Sequence, residues 1–526
     1  MGKPSKNLAV RDLYEPPSVQ TPAQAFEERI SHELVVALVG PVGSGVSTAA
    51  RDLHDILSQE YKYKVRPIIK LSEIISAEAR RVLIEKIERA PLDKYITTMQ
   101  TIGNDLRKKF GGSYLVEKAV EEIAKFRKEN GGCSDNGVPL VGRRAYILDS
   151  IKNLEELRLL RFLYGKTLLV VGVFAPDQIR KDRLQTLGAD PESVRKIMDR
   201  DQSEVATFGQ NTRKLFIESD LFICNDKKPE ELKRKLRRYL ELVFDVRVHT
   251  PTRSESAMYE AASAAAQSAC MSRQVGASII SCTGELIAVG RNDVPRVGGG
   301  LYVEDDQFTV DDEARVIVDA DNRCFKWGGR ICHNEVTRND IIKKIARKIF
   351  DADVLKKNKT TSDVVAILSG TDIDNLTEFS RSIHAEMEAI LSVAREGKHS
   401  LVGATLYTST YPCHNCARHI VAAGIRRVVY IEPYKKSLAI VLHSGTVTED
   451  STDRSRVIFS QYDGVAPRNY LRLFRPRLPR KQDGHLLHRG LEAAAPAYSE
   501  PLDSRTDYES KVIADLCSKE QSSCED

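Results

Sequence analysis

The chain has 526 residues, of which 41% are hydrophobic and 29% are charged, and its formal net charge is +5. A chain of this length exceeds what one ordinary hydrophobic core organises, so we expect two domains. The composition excludes a disordered protein. The mild positive charge suits small anionic ligands without indicating a nucleic-acid-binding surface.

The N-terminus and the apolar runs predict a cytoplasmic protein with no membrane association. Residues Met1 to Pro16 lack the apolar core of a signal peptide, and Lys6 stands where N-myristoylation requires Ser or Thr. The longest apolar runs, Leu34–Val39 and Thr167–Val173, have the length of strands and are too short to span a bilayer. In the reducing cytoplasm, the ten cysteines are expected to be free thiols or metal ligands rather than members of disulfides.

After an N-terminal extension, residues 1–30, short β-rich runs alternate with amphipathic helical stretches over residues 31–246. The helical stretches include Leu115–Lys128 and Glu230–Leu242. The predicted strands are Leu34–Val39, Val65–Ile69, Ala145–Leu148, Thr167–Val173 and Leu221–Ile223. Such alternation predicts an α/β domain in which helices cover a parallel sheet.

A glycine-rich loop follows the first predicted strand and precedes a helix. It reads Gly-Pro-Val-Gly-Ser-Gly-Val-Ser-Thr from Gly40 to Thr48. In this setting small residues let backbone N–H groups hold a phosphate at the helix N-terminus, which is the design of a nucleotide-binding P-loop. The candidate nucleotide-binding residues are Gly40, Gly43, Ser44, Gly45, Val46, Ser47, Thr48 and Asp149.

The loop departs from the usual P-loop at Val46, which stands where a lysine normally reaches the transferred phosphoryl group. We therefore expect nucleotide binding without phosphoryl transfer. Ser47 is placed to hold Mg²⁺, and Asp149 is placed like a Walker-B acid. The region, including a lid-like stretch over residues 174–183, resembles small-molecule kinases of the P-loop NTPase class. A kinase-like fold kept only as a scaffold is the alternative.

A second domain is predicted over residues 252–475, followed by a flexible tail over residues 476–526 that is rich in Pro, Arg, Ser and acidic residues. A long, weakly patterned segment over residues 294–380 interrupts this domain. The predicted elements are the helix Ser256–Ser268, the hairpin strands Gly276–Ser281 and Leu286–Arg291, the helix Arg381–Arg395 and the strand Gly403–Thr408.

The strongest signal in the chain is His384-Ala-Glu386 followed by Pro412-Cys-His-Asn-Cys416. This is the H-x-E and P-C-x-x-C signature of zinc deaminases. His384, Cys413 and Cys416 would bind Zn²⁺ and leave a fourth tetrahedral position for an activated water. Glu386 cannot sensibly join the same tetrahedron, so we expect it to carry protons from the water to the ring nitrogen and the departing amine.

Each half of this signature also has a structural interpretation. A Cys-x-x-Cys pair alone is often a zinc knuckle or a redox pair, and His-x-Glu alone occurs by chance. A purely structural zinc site would usually have a fourth protein ligand. The two halves in this order, with the proline and a strand–helix setting, favour a catalytic zinc.

Four further stretches resemble deoxycytidylate deaminases. They are Cys270-Met-Ser-Arg-Gln-Val-Gly-Ala277, Val289-Gly-Arg-Asn-Asp-Val-Pro295, Leu406-Tyr-Thr-Ser-Thr-Tyr-Pro-Cys413 and Ala423-Gly-Ile-Arg-Arg-Val-Val-Tyr430. The resemblance implies a cytidine-deaminase-like α/β/α domain that forms a homo-oligomer. It also implies that Asn292 binds sugar or phosphate, Ala385 contacts the pyrimidine edge, and Thr408 and Tyr411 border the base. Alternatively, Asn292 caps a turn and Tyr411 packs in the core.

Two residue groups near these motifs are candidates for further binding. Lys435 and Lys436 either bind the substrate's phosphates or form an exposed charged turn. The side chains that would supply a second, structural zinc are Cys270, Cys324, Cys332 and His333, although their spacing matches no known zinc knuckle. Buried free cysteines are the alternative for the second group.

The order of the two blocks resembles bacterial anti-phage deoxycytidine-nucleotide deaminases. The resemblance implies conversion of dCTP and dCMP to dUTP and dUMP, a regulatory nucleotide at the P-loop, and room for an inhibitory partner. One alternative is a polynucleotide deaminase, which would need aromatic and basic stacking surfaces that a chain with 6% aromatic residues hardly supplies. Another is a non-enzymatic nucleotide sensor, against which the intact Glu386 argues.

Overall fold

The computed structural model describes residues 28–82, 87, 89, 91–135, 138–202, 211–307, 309–310, 316–317, 321–355, 358–371, 373, 376–434 and 437–522. The chain divides into two compact units. The first comprises Met1–Val248 and Arg475–Asp526, and the second comprises His249–Phe474. Within the described ranges, no helix has both the length and the apolar character needed to cross a membrane.

A parallel sheet forms the centre of the first unit. Its strands are β1 (Leu34–Val39), β2 (Lys64–Val65), β3 (Ile69–Lys70), β4 (Arg144–Asp149), β5 (Leu168–Phe174) and β6 (Leu221–Cys224). Their order is β6-β5-β1-β4-β2, and β3 also pairs with β4. Val36 at the centre lies opposite Ile147 of β4 and Leu169 of β5. All six residues of β1 are buried, as expected for a parallel strand covered on both faces.

Helices cover this sheet. They are α1 (Val46–Asp55), α2 (Leu71–Glu78), α3 (Leu92–Phe110), α4 (Tyr114–Glu129), α5 (Leu154–Tyr164), α6 (Asp177–Thr186), α7 (Pro191–Gln202), α8 (Thr212–Ile217) and α9 (Pro229–Val243). The predicted α/β class is confirmed. The single strand predicted over Val65–Ile69 is instead two short strands, because the segment between them contains Pro67, which cannot donate a backbone hydrogen bond to a sheet.

The C-terminal segment belongs to the first unit and contains strands β16 (Lys481–Gln482) and β17 (His485–Leu486) and helix α17 (Asp503–Ser522). Arg127 of α4 donates from Nη2 to Glu509 Oε1 at 3.1 Å, and Lys519 donates to Glu117 Oε1 at 2.7 Å. Leu516 is buried in the core of this unit. These contacts contradict the predicted flexible tail for residues 476–522, and the remaining residues 523–526 of that prediction lie outside the described residues. The polar residues of this segment have ionic partners far away in the sequence.

A mixed sheet forms the centre of the second unit. Its order is β13-β14-β12-β11-β7-β8, where the strands are β7 (Gly276–Ile280), β8 (Leu286–Arg291), β11 (Thr405–Thr410), β12 (Arg427–Glu432), β13 (Val447–Thr448) and β14 (Val457–Gln461). The predicted hairpin β7–β8 is antiparallel, and β11 pairs antiparallel with β7 and parallel with β12. The remaining short strands are β9 (Thr309–Val310), β10 (Val316–Ile317) and β15 (Gly464–Val465).

The helices of the second unit are α10 (Arg253–Ala266), α11 (His333–Asp351), α12 (Thr361–Leu368), α13 (Ala385–Glu396), α14 (His414–Ala422), α15 (Ala439–Leu442) and α16 (Tyr470–Phe474). The weakly patterned segment thus contains two helices, α11 and α12. The helix predicted from Arg381 begins only at Ala385, because Ile383 first pairs with Asp293 in an antiparallel bridge. This bridge joins the segment before α13 to the residues that follow β8.

Candidate functional site

His384 lies at the N-cap of α13, with φ −78° and ψ 151°. The preceding residue, Ile383, donates its backbone N–H to the carbonyl oxygen of Asp293 at 2.9 Å. This bond holds the segment before the helix in an extended conformation. It thereby fixes the position from which the His384 side chain extends. His384 therefore lies at the N-terminus of α13, whereas the sequence predicted a position inside a helix.

The two cysteines of the signature lie at the start of the next helix. Cys413 is the N-cap of α14, three residues after β11 ends at Thr410. Its Sγ accepts a hydrogen bond from the backbone N–H of Cys416 at 3.5 Å. The N-terminus of a helix favours a thiolate over a thiol, so the location suits a metal ligand.

These three side chains converge. His384 Nδ1 lies 3.2 Å from Cys416 Sγ and 3.5 Å from Cys413 Sγ. Zinc bond lengths of about 2.3 Å to sulfur and about 2.0 Å to nitrogen put two ligands of a tetrahedron about 3.5 Å apart. The donor types and their spacing therefore fit zinc. Within the described part of the chain, this is the one group of three or more potential ligands that converges within 4.8 Å.

The three side chains of the cluster change one another's protonation equilibria. Hydrogen bonding from Cys416 lowers the pKa of Cys413 to about 4, and the neighbouring His384 adds to this effect. The hydrogen bond to Cys413 raises the pKa of His384 to about 9. The lowered pKa of Cys413 favours its thiolate, which is the form that binds zinc.

Glu386 is the second residue of α13 and is buried, with 4% of its surface exposed. Burial raises the pKa of its carboxyl group, while the neighbouring His384 acts in the opposite direction. The carboxyl also hydrogen-bonds Cys416. A carboxyl group held beside the ligand cluster, but not itself a member of it, is placed to exchange protons there.

A cavity of about 210 Å³ opens at this cluster. Its lining combines the cluster with the loop before β7, the residues after β8 and part of the long segment over residues 294–380. Asn292, Ala385 and Tyr411 are among its lining residues, and their contacts with a substrate stay a prediction. Thr408 is instead fully buried in β11, where its hydroxyl donates to the carbonyl oxygen of Thr410 at 3.0 Å.

Asn292 organises the loop before β7. Its Oδ1 accepts hydrogen bonds from the N–H of Val275 at 2.7 Å and from the Ser268 hydroxyl at 3.0 Å. Its Nδ2 donates to the carbonyl oxygen of Arg273 at 2.7 Å. The side chain therefore holds this loop, which forms part of the cavity wall, and its contact with sugar or phosphate stays a prediction. Lys435 and Lys436 lie outside the described residues.

The four residues considered for a second zinc all line the cavity but do not converge into a ligand group. Cys332 Sγ instead lies 3.2 Å from the Ser272 hydroxyl. Cys324 Sγ lies 3.8 Å from Nη1 of Arg381, a cation that would oppose a metal ion there. The structure therefore gives no support to a second zinc at these residues, because the neighbours described for Cys332 and Cys324 are a hydroxyl and a guanidinium group.

Arg381 and Trp327 lie beside this part of the cavity, and neither was predicted from the sequence as a site residue. Arg381 lines the cavity, and its guanidinium group lies 4.0 Å from the centre of the Trp327 ring. A basic residue three positions before the histidine ligand was a visible signal. It was overlooked because a helix was predicted to begin there.

The glycine-rich loop of the first unit has the geometry of a P-loop. Gly45 is the N-cap of α1 with φ 88°, a left-handed conformation that favours glycine. A Cβ atom at Gly45 would lie 2.2 Å from Asn225 Nδ2. The Ser47 hydroxyl donates to Asp149 Oδ2 at 2.6 Å. The two residues predicted to hold Mg²⁺ thus lie together, while Val46 is buried in α1.

Charged side chains surround this loop in place of the missing lysine. Arg180 and Arg183 of α6 donate to loop carbonyl oxygens, Arg180 Nε to that of Val42 at 2.8 Å. The N–H of Val42 donates to Asp201 Oδ2 at 2.8 Å. Lys152 donates both to Asp201 Oδ1 at 2.7 Å and to the carbonyl oxygen of Gly40 at 2.8 Å. The lid-like stretch therefore contacts the loop. The Asp201 carboxylate accepts the hydrogen bond of one loop amide, that of Val42.

Comparison with known proteins assigns the second unit. Residues 251–432 match the family model described as the cytidine and deoxycytidylate deaminase zinc-binding region. This unit carries a cytidine/deoxycytidylate deaminase domain. The deoxycytidylate deaminase of Enterobacteria phage T2 is 49% identical over 55 residues, which are 10% of this chain and 29% of that relative. The match thus spans less than a third of the relative's length.

Two solved structures resemble the chain with low sequence identity. The dCMP deaminase from the cyanophage S-TIM5 is 16% identical, and the alignment covers 41% of this chain and 100% of that one with a TM-score of 0.21. The shikimate kinase from Aquifex aeolicus vf5 is 14% identical, and the alignment covers 40% of this chain and 96% of that one with a TM-score of 0.23.

Proposed function

We propose that this protein is a zinc-dependent hydrolase that removes the exocyclic amine from deoxycytidine nucleotides, converting dCMP and dCTP to dUMP and dUTP with release of ammonia. The observation that carries the proposal is the convergence of His384, Cys413 and Cys416 within 4.8 Å beside a cavity that also contains the buried Glu386. The matching family region supports the same reaction class.

The ligands His384, Cys413 and Cys416 would hold Zn²⁺, which lowers the pKa of a water molecule and so supplies a nucleophile near neutral pH. Glu386 takes the proton from this water. It would pass this proton to the ring nitrogen of the pyrimidine, and it would later carry the remaining proton of the added hydroxyl to the departing amine as the bond between the ring carbon and that amine breaks. Tyr411 and Ala385 enclose the base, and the residues around Asn292 hold the loop that forms the cavity wall.

A nucleotide substrate fits this cavity better than a polynucleotide. The cavity of about 210 Å³ is small, and the long segment over residues 294–380 contributes part of its lining. A relative that matches part of this domain is named a deoxycytidylate deaminase. Preference between the monophosphate and the triphosphate is a matter for measurement.

We further propose that the P-loop of the first unit binds a regulatory nucleotide with Mg²⁺ and has no phosphotransferase activity. The Ser47–Asp149 hydrogen bond and the left-handed Gly45 support binding. Val46 replaces the lysine that stabilises a transferring phosphoryl group. In this proposal, the protein is a cytoplasmic homo-oligomer that depletes dCTP as an anti-phage defence, and an inhibitory partner restrains it.

The reaction is tested by measuring ammonia release from the purified full chain with dCMP, dCTP, deoxycytidine, cytosine and a single-stranded oligonucleotide. We expect the two nucleotides to react fastest. Glu396→Ala, an exposed residue at the end of the same helix as Glu386, is the matched control and should behave like the wild type. Faster reaction of cytosine or of the oligonucleotide would refute the nucleotide proposal.

The regulatory role is tested with Gly45→Val in the full chain. The added side chain collides with Asn225 and strains a left-handed backbone, so nucleotide binding at the loop should be lost. Calorimetry with ATP, GTP, dCTP and dTTP measures that loss. Linkage requires that deaminase ligands change P-loop affinity by the same factor as the reverse. Phosphoryl transfer by the wild type, or unchanged calorimetry in the variant, would contradict the proposal.

A further inference from the structure

Arg381 brings a positive charge into the deaminase cavity without an acidic partner in the part of the chain that the structure describes. Its guanidinium group lies 4.0 Å from the centre of the Trp327 ring, and its Nη1 lies 3.8 Å from Cys324 Sγ. Neither neighbour carries a carboxylate. Arg273, which also lines the cavity, is by contrast paired with Glu432.

The acidic groups in the cavity lining do not neutralise this charge. They are Asp293 and Glu386. The Asp293 carboxylate accepts the N–H of Ala269 at 3.1 Å and the N–H of Val294 at 2.8 Å, and its charge acts on Arg323, while no ion pair joins it to Arg381 in the part of the chain that the structure describes. Glu386 lies beside the metal ligands. A cation held in a cavity without a counter-ion is a binding site for an anionic ligand group.

A second, independent element points to the same kind of ligand. The first residues of the 19-residue helix α11, together with its N-cap Cys332, line the cavity. No side chain caps this helix end, whose dipole favours negative charge. His333 Nε2 is buried and has no hydrogen-bond partner among the described residues. The His333 ring lies 5.5 Å from the Trp327 ring, which connects it to Arg381.

We propose that Arg381 and the N-terminus of α11 form the subsite for the 5′-phosphate of the substrate. This inference rests on the proposed deaminase function and adds a specificity determinant to it. The same cavity contains Glu386 at the reacting end, so one nucleotide places its base at the metal ligands and its phosphate at Arg381. The long segment over residues 294–380, which the sequence left without a role, thereby selects nucleotides over nucleosides.

Arg381→Gln tests the subsite, with kcat/KM measured for dCMP and for deoxycytidine. We expect kcat/KM for dCMP to fall at least tenfold, mainly through KM, and that for deoxycytidine to fall much less. The matched control is Arg418→Gln, which removes the same charge from an exposed position on α14. Zinc content and thermal unfolding of each variant establish that it is folded. Arg381→Lys should restore part of the dCMP activity.

The outcomes separate this inference from the reaction itself. Equal activity of the wild type on dCMP and deoxycytidine would refute the nucleotide proposal. A wild-type preference for dCMP that persists in Arg381→Gln would refute only the subsite, as would an equal loss for both substrates. Calorimetric titration with dCMP gives a readout that does not depend on turnover, and an unchanged dissociation constant in Arg381→Gln would overturn the inference.

Discussion

Asp201 accepts the backbone N–H of Val42 in the P-loop, with 2.8 Å between Oδ2 and the nitrogen. Such amides are the donors with which a P-loop holds phosphate. The carboxylate therefore competes with a bound phosphate for this amide, and its charge repels one. Lys152, the nearby cation, is also engaged by Asp201.

We therefore expect Asp201→Asn to bind nucleoside triphosphates more tightly. The substitution removes a negative charge beside the loop and frees Lys152 for the ligand, and we expect an affinity gain of about tenfold, which corresponds to about 1.4 kcal/mol. Calorimetry with ATP and Mg²⁺ on the full chain measures it. Asp199→Asn, an exposed position on the same helix, is the control. Weaker binding in Asp201→Asn would instead indicate that the carboxylate supports the loop.

Glu386→Ala should abolish deamination while zinc is retained. The substitution removes the proton carrier but none of the three ligands, so we expect turnover to fall about 10²- to 10⁴-fold or more. Metal analysis together with ammonia release measures both quantities. Cys416→Ala should lose zinc as well as activity, because it leaves only two ligands. Substantial turnover by zinc-loaded Glu386→Ala would rule out the proposed proton transfer.

Leu516→Ala should destabilise the first unit, although it lies in the segment whose composition suggested a flexible tail. The side chain is 1% exposed and packs in the core of that unit. Removing a buried leucine side chain costs about 2–5 kcal/mol. Chemical denaturation measures the loss, and Cys517→Ala, the exposed neighbour, should leave stability unchanged. Equal stability of both variants would mean that the helix does not pack in solution.

Acid should destabilise the first unit through Glu33. Burial raises the pKa of this carboxyl group, but Arg127 and Arg144 outweigh burial and hold the pKa below its ordinary value of 4.5. Because the folded pKa is the lower one, this stabilisation is present above about pH 4.5 and is lost as the pH falls through the folded pKa. The denaturation midpoint of the wild type should therefore decrease over this acidic range.

Glu33→Gln isolates this effect. It should be less stable than the wild type at neutral pH, by about 3–5 kcal/mol, because the buried Arg144 loses its ion pair and the buried Arg127 keeps only that with Glu509. Its stability should also depend less steeply on pH in the acidic range. Glu492→Gln, at an exposed position, should retain the wild-type profile. A parallel pH dependence in Glu33→Gln would assign the acid sensitivity to other groups.

The features that could be predicted from sequence are those that depend on local spacing. The strand Leu34–Val39 could be predicted because a run of six apolar residues is typical of a parallel strand that helices cover on both faces. The His384, Cys413 and Cys416 cluster was predictable because tetrahedral zinc restricts the ligands to a few spacings. Ser47 and Asp149 were identified as candidate nucleotide-binding residues from the strand–loop–helix order, and the structure adds the hydrogen bond between them.

The features that could not be predicted depend on partners far away in the sequence. Helix α17 has few apolar residues, and its attachment depends on ion pairs such as that between Glu509 and Arg127, which are separated by 382 positions. The late start of α13 depends on the bridge from Ile383 to Asp293. The contact between Arg381 and Trp327 joins a motif segment to one without a recognisable pattern. No local periodicity of the sequence predicts such long-range contacts.

The return of residues 475–526 to the first unit makes the deaminase an insertion within another domain. A ribosome finishes the deaminase before it produces α17, whose Glu509 neutralises Arg127 in the core of the first unit. During synthesis, the buried ion pair between Arg127 and Glu509 in the first unit therefore forms only after the second unit has emerged from the ribosome. An N-terminal fragment ending near residue 248 lacks that helix, so ligand titrations of the P-loop require the full-length polypeptide.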